Sequence, residues 1–266
     1  MLKYLTDTSP AVHLILLLGI PLLGLPMFLP GYFHIDEALA LQVAQQAYEG
    51  GLLYQDAWWS GPPLQIWVYE GFVSLFGKYA TIGLRIFALL WVYIMAIYLN
   101  GMTGKVKLFK GNAGIIGILY AIAICLPWAE LLLSAEMKAG LFLLMAFNRL
   151  MELKEQAQRN YLLMLEIGIF MSLSALFTYK SLFLLLGIFL AYLILRSPRL
   201  DELFALFGGL AIPLFFLVII LFIQGYGQAF WEIGILYYFE RLGLTGELYY
   251  QPTTFTTLHF LLMCWA

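Results

Sequence analysis

The sequence predicts an all-α polytopic membrane protein, and three observations predict it. Of 266 residues, 63% are hydrophobic and only 11% are charged, against about 25% charged in an ordinary soluble domain. The mean hydropathy is +0.88. Apolar runs also recur along the chain at close to the length of about 20 residues that a helix needs to cross a hydrocarbon core of roughly 30 Å. No soluble interior is large enough to hide this much apolar surface, so lipid is the expected solvent.

On that ruler, spans are expected near 10–30, 80–101, 112–128, 132–152, 161–178, 181–196 and 203–223, with an eighth beginning near 257. The fold expected is therefore about seven to eight transmembrane helices in a single domain over 1–266, C-terminally incomplete because the last span is cut short. The N-terminal MLKYLTDTSP lacks the cationic region and cleavage site of a removable signal peptide, so the first apolar run reads as a retained span. Basic residues orient the bundle. With the N-terminus inside, the inner ends collect Lys3, Lys105, Lys107, Lys110, Arg149, Lys154, Arg159, Arg196 and Arg199, nine of fourteen. Residues 31–79 and 224–256 then become the two long external loops, where external chemistry would concentrate.

The first loop opens with Asp36-Glu37 and continues as an amphipathic helix. Leu39, Val43 and Ala47 recur every four positions with Ala40 and Ala44 beside them, while Gln42, Gln45, Gln46 and Glu49 lie opposite. Such a helix lies along the membrane interface, and Gly50-Gly51 stops it. Gly61-Pro62-Pro63 forces an extended turn, after which Leu64 to Phe76 predicts a second interfacial helix. Trp58, Trp59, Trp67 and Tyr69 suit headgroup depth. The plain role of Asp36 and Glu37 is to cap a helix N-terminus. Adjacent acids at a membrane surface also suit a general base or ligands for a hard divalent cation, and spacing does not choose between these roles.

Charges within the apolar background are informative, because each costs about 2.5–3.5 kcal/mol at the centre of a span and needs a partner or water. Arg85, Glu136, Lys138 and Lys180 all fall on the expected outer side. Separate snorkelling would explain each one. Together they point to a polar cavity open to the outside, its cations suited to a lipid phosphate. Glu166, in the inner half of its span, has no functional reading and suits burial against another helix. In the second loop, Glu240-Arg241 follows a run of aromatics, and Tyr249 and Tyr250 come after. They read as an aromatic belt or as a cavity wall, Arg241 facing an anion and the tyrosines a sugar. Cys125 and Cys264 lie in apolar runs, and His13, His34 and His259 have no metal-ligand spacing. His34, two residues before Asp36, could line the same site. No nucleotide-binding, serine-hydrolase or zinc-protease fingerprint is present, so no organic cofactor is expected. The net charge of −2 does not suggest nucleic acid.

In their order these features resemble the GT-C membrane glycosyltransferases, and most of all glycosyltransferase family 39 with the protein mannosyltransferases and the aminoarabinose transferase of lipid A. The matching residues are Asp36-Glu37-Ala38, Gly50, Tyr54, Asp56, Pro62-Pro63-Leu64, Gly77 and Arg85. Further on, SAEMKAG is similar to the family's later acidic segment at Glu136, FTYKSLF to its lysine hairpin at Lys180, and YYFERLG to its acid–arginine loop.

The resemblance implies transfer of a sugar from a polyprenyl-phosphate donor to a lipid, glycan or protein acceptor. The reaction would run on the external face of a bacterial inner membrane, with the N-terminus cytoplasmic. Asp36 would be the general base or an acceptor-orienting acid, with Glu37 and Asp56 supporting it. Asp36 and Asp56 would also help hold a divalent cation (Mg, Mn or Zn). Lys180, with Arg85 and Arg241, would receive the phosphate, and Glu136, Glu240, Tyr249 and Tyr250 would complete the substrate site. Members of the family usually continue for several more spans, so a non-catalytic GT-C-like subunit working with other membrane subunits is the main alternative. A transporter or lipid-handling protein is a further one, but collecting polarity at one outer face speaks against transport.

Overall fold

A computed structural model of the chain describes residues 8–28, 35–106, 114–125, 134–155, 160–195 and 199–237. The described chain is almost entirely helical and has no β-strand. Helix α1 (Pro10–Gly24) continues as a 3-10 turn over Leu25–Phe28. Its start follows from sequence: Pro10 needs no amide partner at the first position, and the Ser9 hydroxyl accepts the Val12 amide at 3.4 Å. The two helices expected in the first loop follow as α2 (Ile35–Tyr48) and α3 (Pro63–Phe76).

Next come α4 (Ala80–Val106), α5 (Ile115–Cys125), α6 (Ala135–Glu155), α7 (Tyr161–Phe177), α8 (Ser181–Leu195) and α9 (Leu200–Ile223). A π-helical segment, Phe230–Leu236, ends the described chain. A helix therefore lies over each of the first seven apolar runs. The eighth run lies outside the described residues.

Three helical stretches are long and apolar enough to cross a membrane: Pro10–Phe28, the run Pro63–Thr103, and Leu200–Ile223. Helices α5, α7 and α8 are apolar but shorter. Length and composition thus support three crossings, where the hydropathy ruler counted seven to eight. The helix faces fit a lipid solvent. On α9, Phe204, Phe207, Phe215, Phe216 and Phe222 are all exposed, an arrangement that water would oppose by hundreds of Å² of apolar contact.

The helices pack in two groups. Helices α1, α4 and α5 lie against one another, with α2 on α3 and α3 on both α4 and α7. Helix α7 is the centre of the second group, in contact with α6, α8 and α9. Small residues let α7 and α9 come close. A Cβ built on Gly209 would collide with the Leu165 carbonyl oxygen and lie 3.1 Å from the Gly168 Cα. Packing of this kind holds helices together in lipid, where hydrophobic burial gives no drive.

Polar contacts add registry. The Asn160 side chain caps α7 by accepting from Leu162 and Leu163 amides at 3.1 and 3.3 Å. Ser174 donates to the Ala139 carbonyl across α6 and α7 at 3.1 Å. Glu202 is fully buried and accepts from the Tyr192 hydroxyl at 3.1 Å, tying α8 to α9. Glu166, which had no functional reading from sequence and was expected to be buried against another helix, is half-exposed and paired with Arg149 of α6 at 2.7 Å. The close α7–α9 crossing predicts that Gly209→Ala destabilises the fold by about 1–3 kcal/mol, the usual cost of overpacking. Thermal unfolding in detergent reads it; a midpoint equal to the parent's would contradict backbone contact at this crossing.

Candidate functional site

The end of the bundle that carries α2 and α3 is built from local chemistry outward. Helix α2 buries Glu37, Ala40, Val43 and Ala44 and exposes Gln42, Gln45, Gln46 and Glu49, the amphipathic split expected from the sequence. Leu39, placed in the apolar stripe, is instead 46% exposed. The buried stripe runs through Glu37, Ala40 and Ala44, one residue round from it. Gly50 ends the helix with φ +101°. Its amide donates to Ala47 and that of Gly51 to Gln46, at 3.1 and 3.0 Å. This double closure needs the left-handed backbone that glycine adopts without cost.

The loop that follows folds around Asp56 and Tyr54. The Asp56 carboxylate accepts the Leu52 amide at 2.8 Å, and its own amide returns to the Leu52 carbonyl at 2.9 Å. Tyr54 has φ +73° and is completely buried. A non-glycine residue in this region costs about 1–3 kcal/mol and persists only where its surroundings hold it. Those surroundings are visible. The Tyr54 hydroxyl donates to the Gly61 carbonyl at 2.9 Å, and its ring meets Phe230 edge-on at 5.3 Å. Burial pushes the hydroxyl well above the ordinary phenol range, and the nearby Tyr179 and Tyr226 phenols add to the shift. It remains a neutral donor at physiological pH, so it braces the loop through its hydrogen bond to Gly61.

Two ion pairs differ sharply in setting. Arg85, early in α4, reaches Glu37 at the start of α2 with Nε to Oε1 at 3.4 Å. Its Nη1 also donates to the Met27 carbonyl in the turn after α1. The two side chains are 6% and 5% exposed. A buried charge is tolerable only when compensated, so this contact holds three elements at one point. The second pair joins Lys180 in the α7–α8 turn to Glu136 in the first turn of α6, at 2.7 Å. Here the side chains are 61% and 43% exposed, and a pair in solvent contributes about 0–1 kcal/mol.

Lys138 connects the two pairs. It is 1% exposed, its Nζ donates to the Ser134 carbonyl at 3.3 Å, and it sits 5.1 Å from the centroid of the Tyr69 ring. Both Glu136 and Glu37 lie within its Coulombic reach. Glu37, Arg85, Glu136, Lys138 and Lys180 therefore form one connected cluster of charges. Sequence reasoning noticed Lys138 only as one of several charges on one side. The signal for its burial was its position in α6, two residues past Glu136 within an otherwise apolar run.

The remaining expected residues divide plainly. Asp36 begins α2, but its side chain lies outside the described residues, as do Glu240, Arg241, Tyr249, Tyr250 and His34. Asp56 is committed to its own turn. No group of three or more His, Cys, Asp or Glu among the described residues is placed to hold a metal ion. Comparison with family models, curated proteins and solved structures gives no match to this chain.

The contrast between the pairs predicts a contrast in stability. Arg85→Ala takes the paired guanidinium away from the buried Glu37 carboxylate and is expected to cost about 3–5 kcal/mol. Lys180→Ala is expected to change stability by no more than about 1 kcal/mol. Denaturant or thermal unfolding of both variants in detergent decides the matter, and equal losses would contradict the different burial of the two pairs.

Proposed function

We propose that the chain is an integral-membrane glycosyltransferase of the GT-C type, moving a sugar from a polyprenyl-phosphate donor to an acceptor hydroxyl at the external face. The observation that carries this reading is the charge cluster at one end of an apolar bundle. It joins the start of α2, the start of α6 and the α7–α8 turn, next to two helices suited to the membrane interface. A lipid-borne anion entering from the bilayer would meet Lys180 there, because Lys180 is the exposed cation of the cluster.

In this reading Asp36 takes the proton of the acceptor hydroxyl as its oxygen attacks the sugar's anomeric carbon. The bond from that carbon to the phosphate oxygen breaks, and the electron pair leaves with the phosphate. Cations that stabilise this growing charge lower the barrier directly. Glu37 is held by Arg85 and would keep the start of α2, and so Asp36, in position. The bias of basic residues supports a cytoplasmic N-terminus and an external site; the bacterial inner membrane follows from the resemblance to the GT-C family alone. The seven-to-eight-span arrangement belongs to the same proposal, with α5 to α8 crossing by tilt or by burial within the protein.

A non-catalytic GT-C-like subunit is the second reading, and one observation favours it: Arg85 and Lys180, the expected phosphate receivers, both already carry carboxylate partners. Incubating membranes with a panel of radiolabelled polyprenyl-phosphate sugars separates the two, since only the first reading yields a labelled product. Asp36→Asn is expected to abolish transfer with expression unchanged; undiminished turnover would remove Asp36 from the mechanism. Lys180→Ala is expected to weaken donor binding more than acceptor binding, whereas equal weakening of both would indicate a structural role.

A further inference from the structure

The Glu136–Lys180 contact has three properties that a purely structural ion pair does not need. It is open to solvent on both sides, so an incoming ligand can reach either charge. It joins a helix start to the turn between two other helices, so it can part without unfolding an element. And Glu136 has a second cation, Lys138, within Coulombic reach, as well as a place in the first turn of α6, where the helix dipole favours an anion. The helix N-terminus therefore still favours the Glu136 carboxylate when Lys180 leaves it. Lys138 is buried against Tyr69 and offers no such mobility. Arg85 is likewise enclosed, held by Glu37 and the Met27 carbonyl.

From this we infer that Glu136 is a built-in competitor for the anion site: it occupies Lys180 in the empty protein and is displaced by a phosphate-bearing ligand. The inference rests on the reading that Lys180 receives a phosphate, and it assigns Glu136 a regulatory contact in place of a direct role in holding the sugar. The physical consequence is selectivity. A weak or singly hydrogen-bonding anion does not repay the loss of the Glu136 contact. A phosphate does, because it offers several charged acceptor oxygens at once. The empty cation is also kept from binding unrelated lipid headgroups.

The test is equilibrium binding to the full chain in detergent micelles, with polyprenyl monophosphate and inorganic phosphate as probes. Glu136→Gln is expected to tighten phosphate binding about fivefold or more, the lower end of typical coupling between sites. Lys180→Ala is expected to lose binding, and the double variant should behave as Lys180→Ala alone. A gain with both probes assigns recognition to the phosphate group itself; a gain with only the polyprenyl form assigns it to the lipid-borne group; each supports displacement.

Unchanged or weaker binding in Glu136→Gln, with Lys180→Ala still losing it, overturns the competitor role and leaves the phosphate site standing. Unchanged binding in Lys180→Ala overturns the phosphate site itself. If Glu136→Gln fails to fold, Glu136→Ala provides the same comparison without adding an amide, and tightening is again expected.

Discussion

The structure depends on one constraint: a guanidinium placed inside an apolar bundle must be compensated. Arg85 meets it with the Glu37 carboxylate, 48 residues earlier in the chain, and with the Met27 carbonyl. That single side chain gathers the end of α1, the start of α2 and the first turns of α4. Helix α1 reaches this point through its terminal 3-10 turn, and α2 through its first turn. Desolvation makes the pair costly to break, so the three can shift only together.

From that anchor the rest of the polar end is built in layers. Helix α2 buries a narrow stripe of alanine and valine against α3, which brings Tyr69 of α3 beneath the Lys138 ammonium. The loop between α2 and α3 is clamped by Tyr54, whose ring meets Phe230 and Tyr226 of the segment after α9. The two packing groups of the bundle thus converge at this end, and their charges converge with them. Further along α6, Arg149 holds Glu152 and Glu166, a separate ion-pair group that does not touch this cluster.

The two ion pairs show why burial matters more than the presence of a pair. Glu37–Arg85 is longer, at 3.4 Å, than Glu136–Lys180, at 2.7 Å, yet it is the one that cannot be given up. In a low-dielectric interior a lost partner leaves a stranded charge. At an exposed position water takes the partner's place at little cost. A short distance does not by itself make a strong restraint, and the shorter pair is the one suited to exchange with a ligand.

Much of this architecture could be read in advance. Apolar runs of near-membrane length located a helix over each of the first seven segments, alternating faces located α2, and the turn at Gly61-Pro62-Pro63 located α3. Gly50-Gly51 and Gly61-Pro62-Pro63 marked their ends through backbone chemistry that needs no tertiary context. The need of each isolated charge for a partner was equally plain. The identity of the partners was not. Glu166 and Arg149, or Arg85 and Glu37, are joined by how the helices cross and rotate, and a mean hydropathy carries no information about rotation. Leu39 shows the limit at one residue: a stripe of small residues leaves the orientation of α2 loose by about one position, and only packing against α3 settled it. Local sequence determined where helices form and that charge would gather toward one end; tertiary packing decided which charges are sealed in and which can still be reached, because exposure belongs to the assembled bundle and to no single helix.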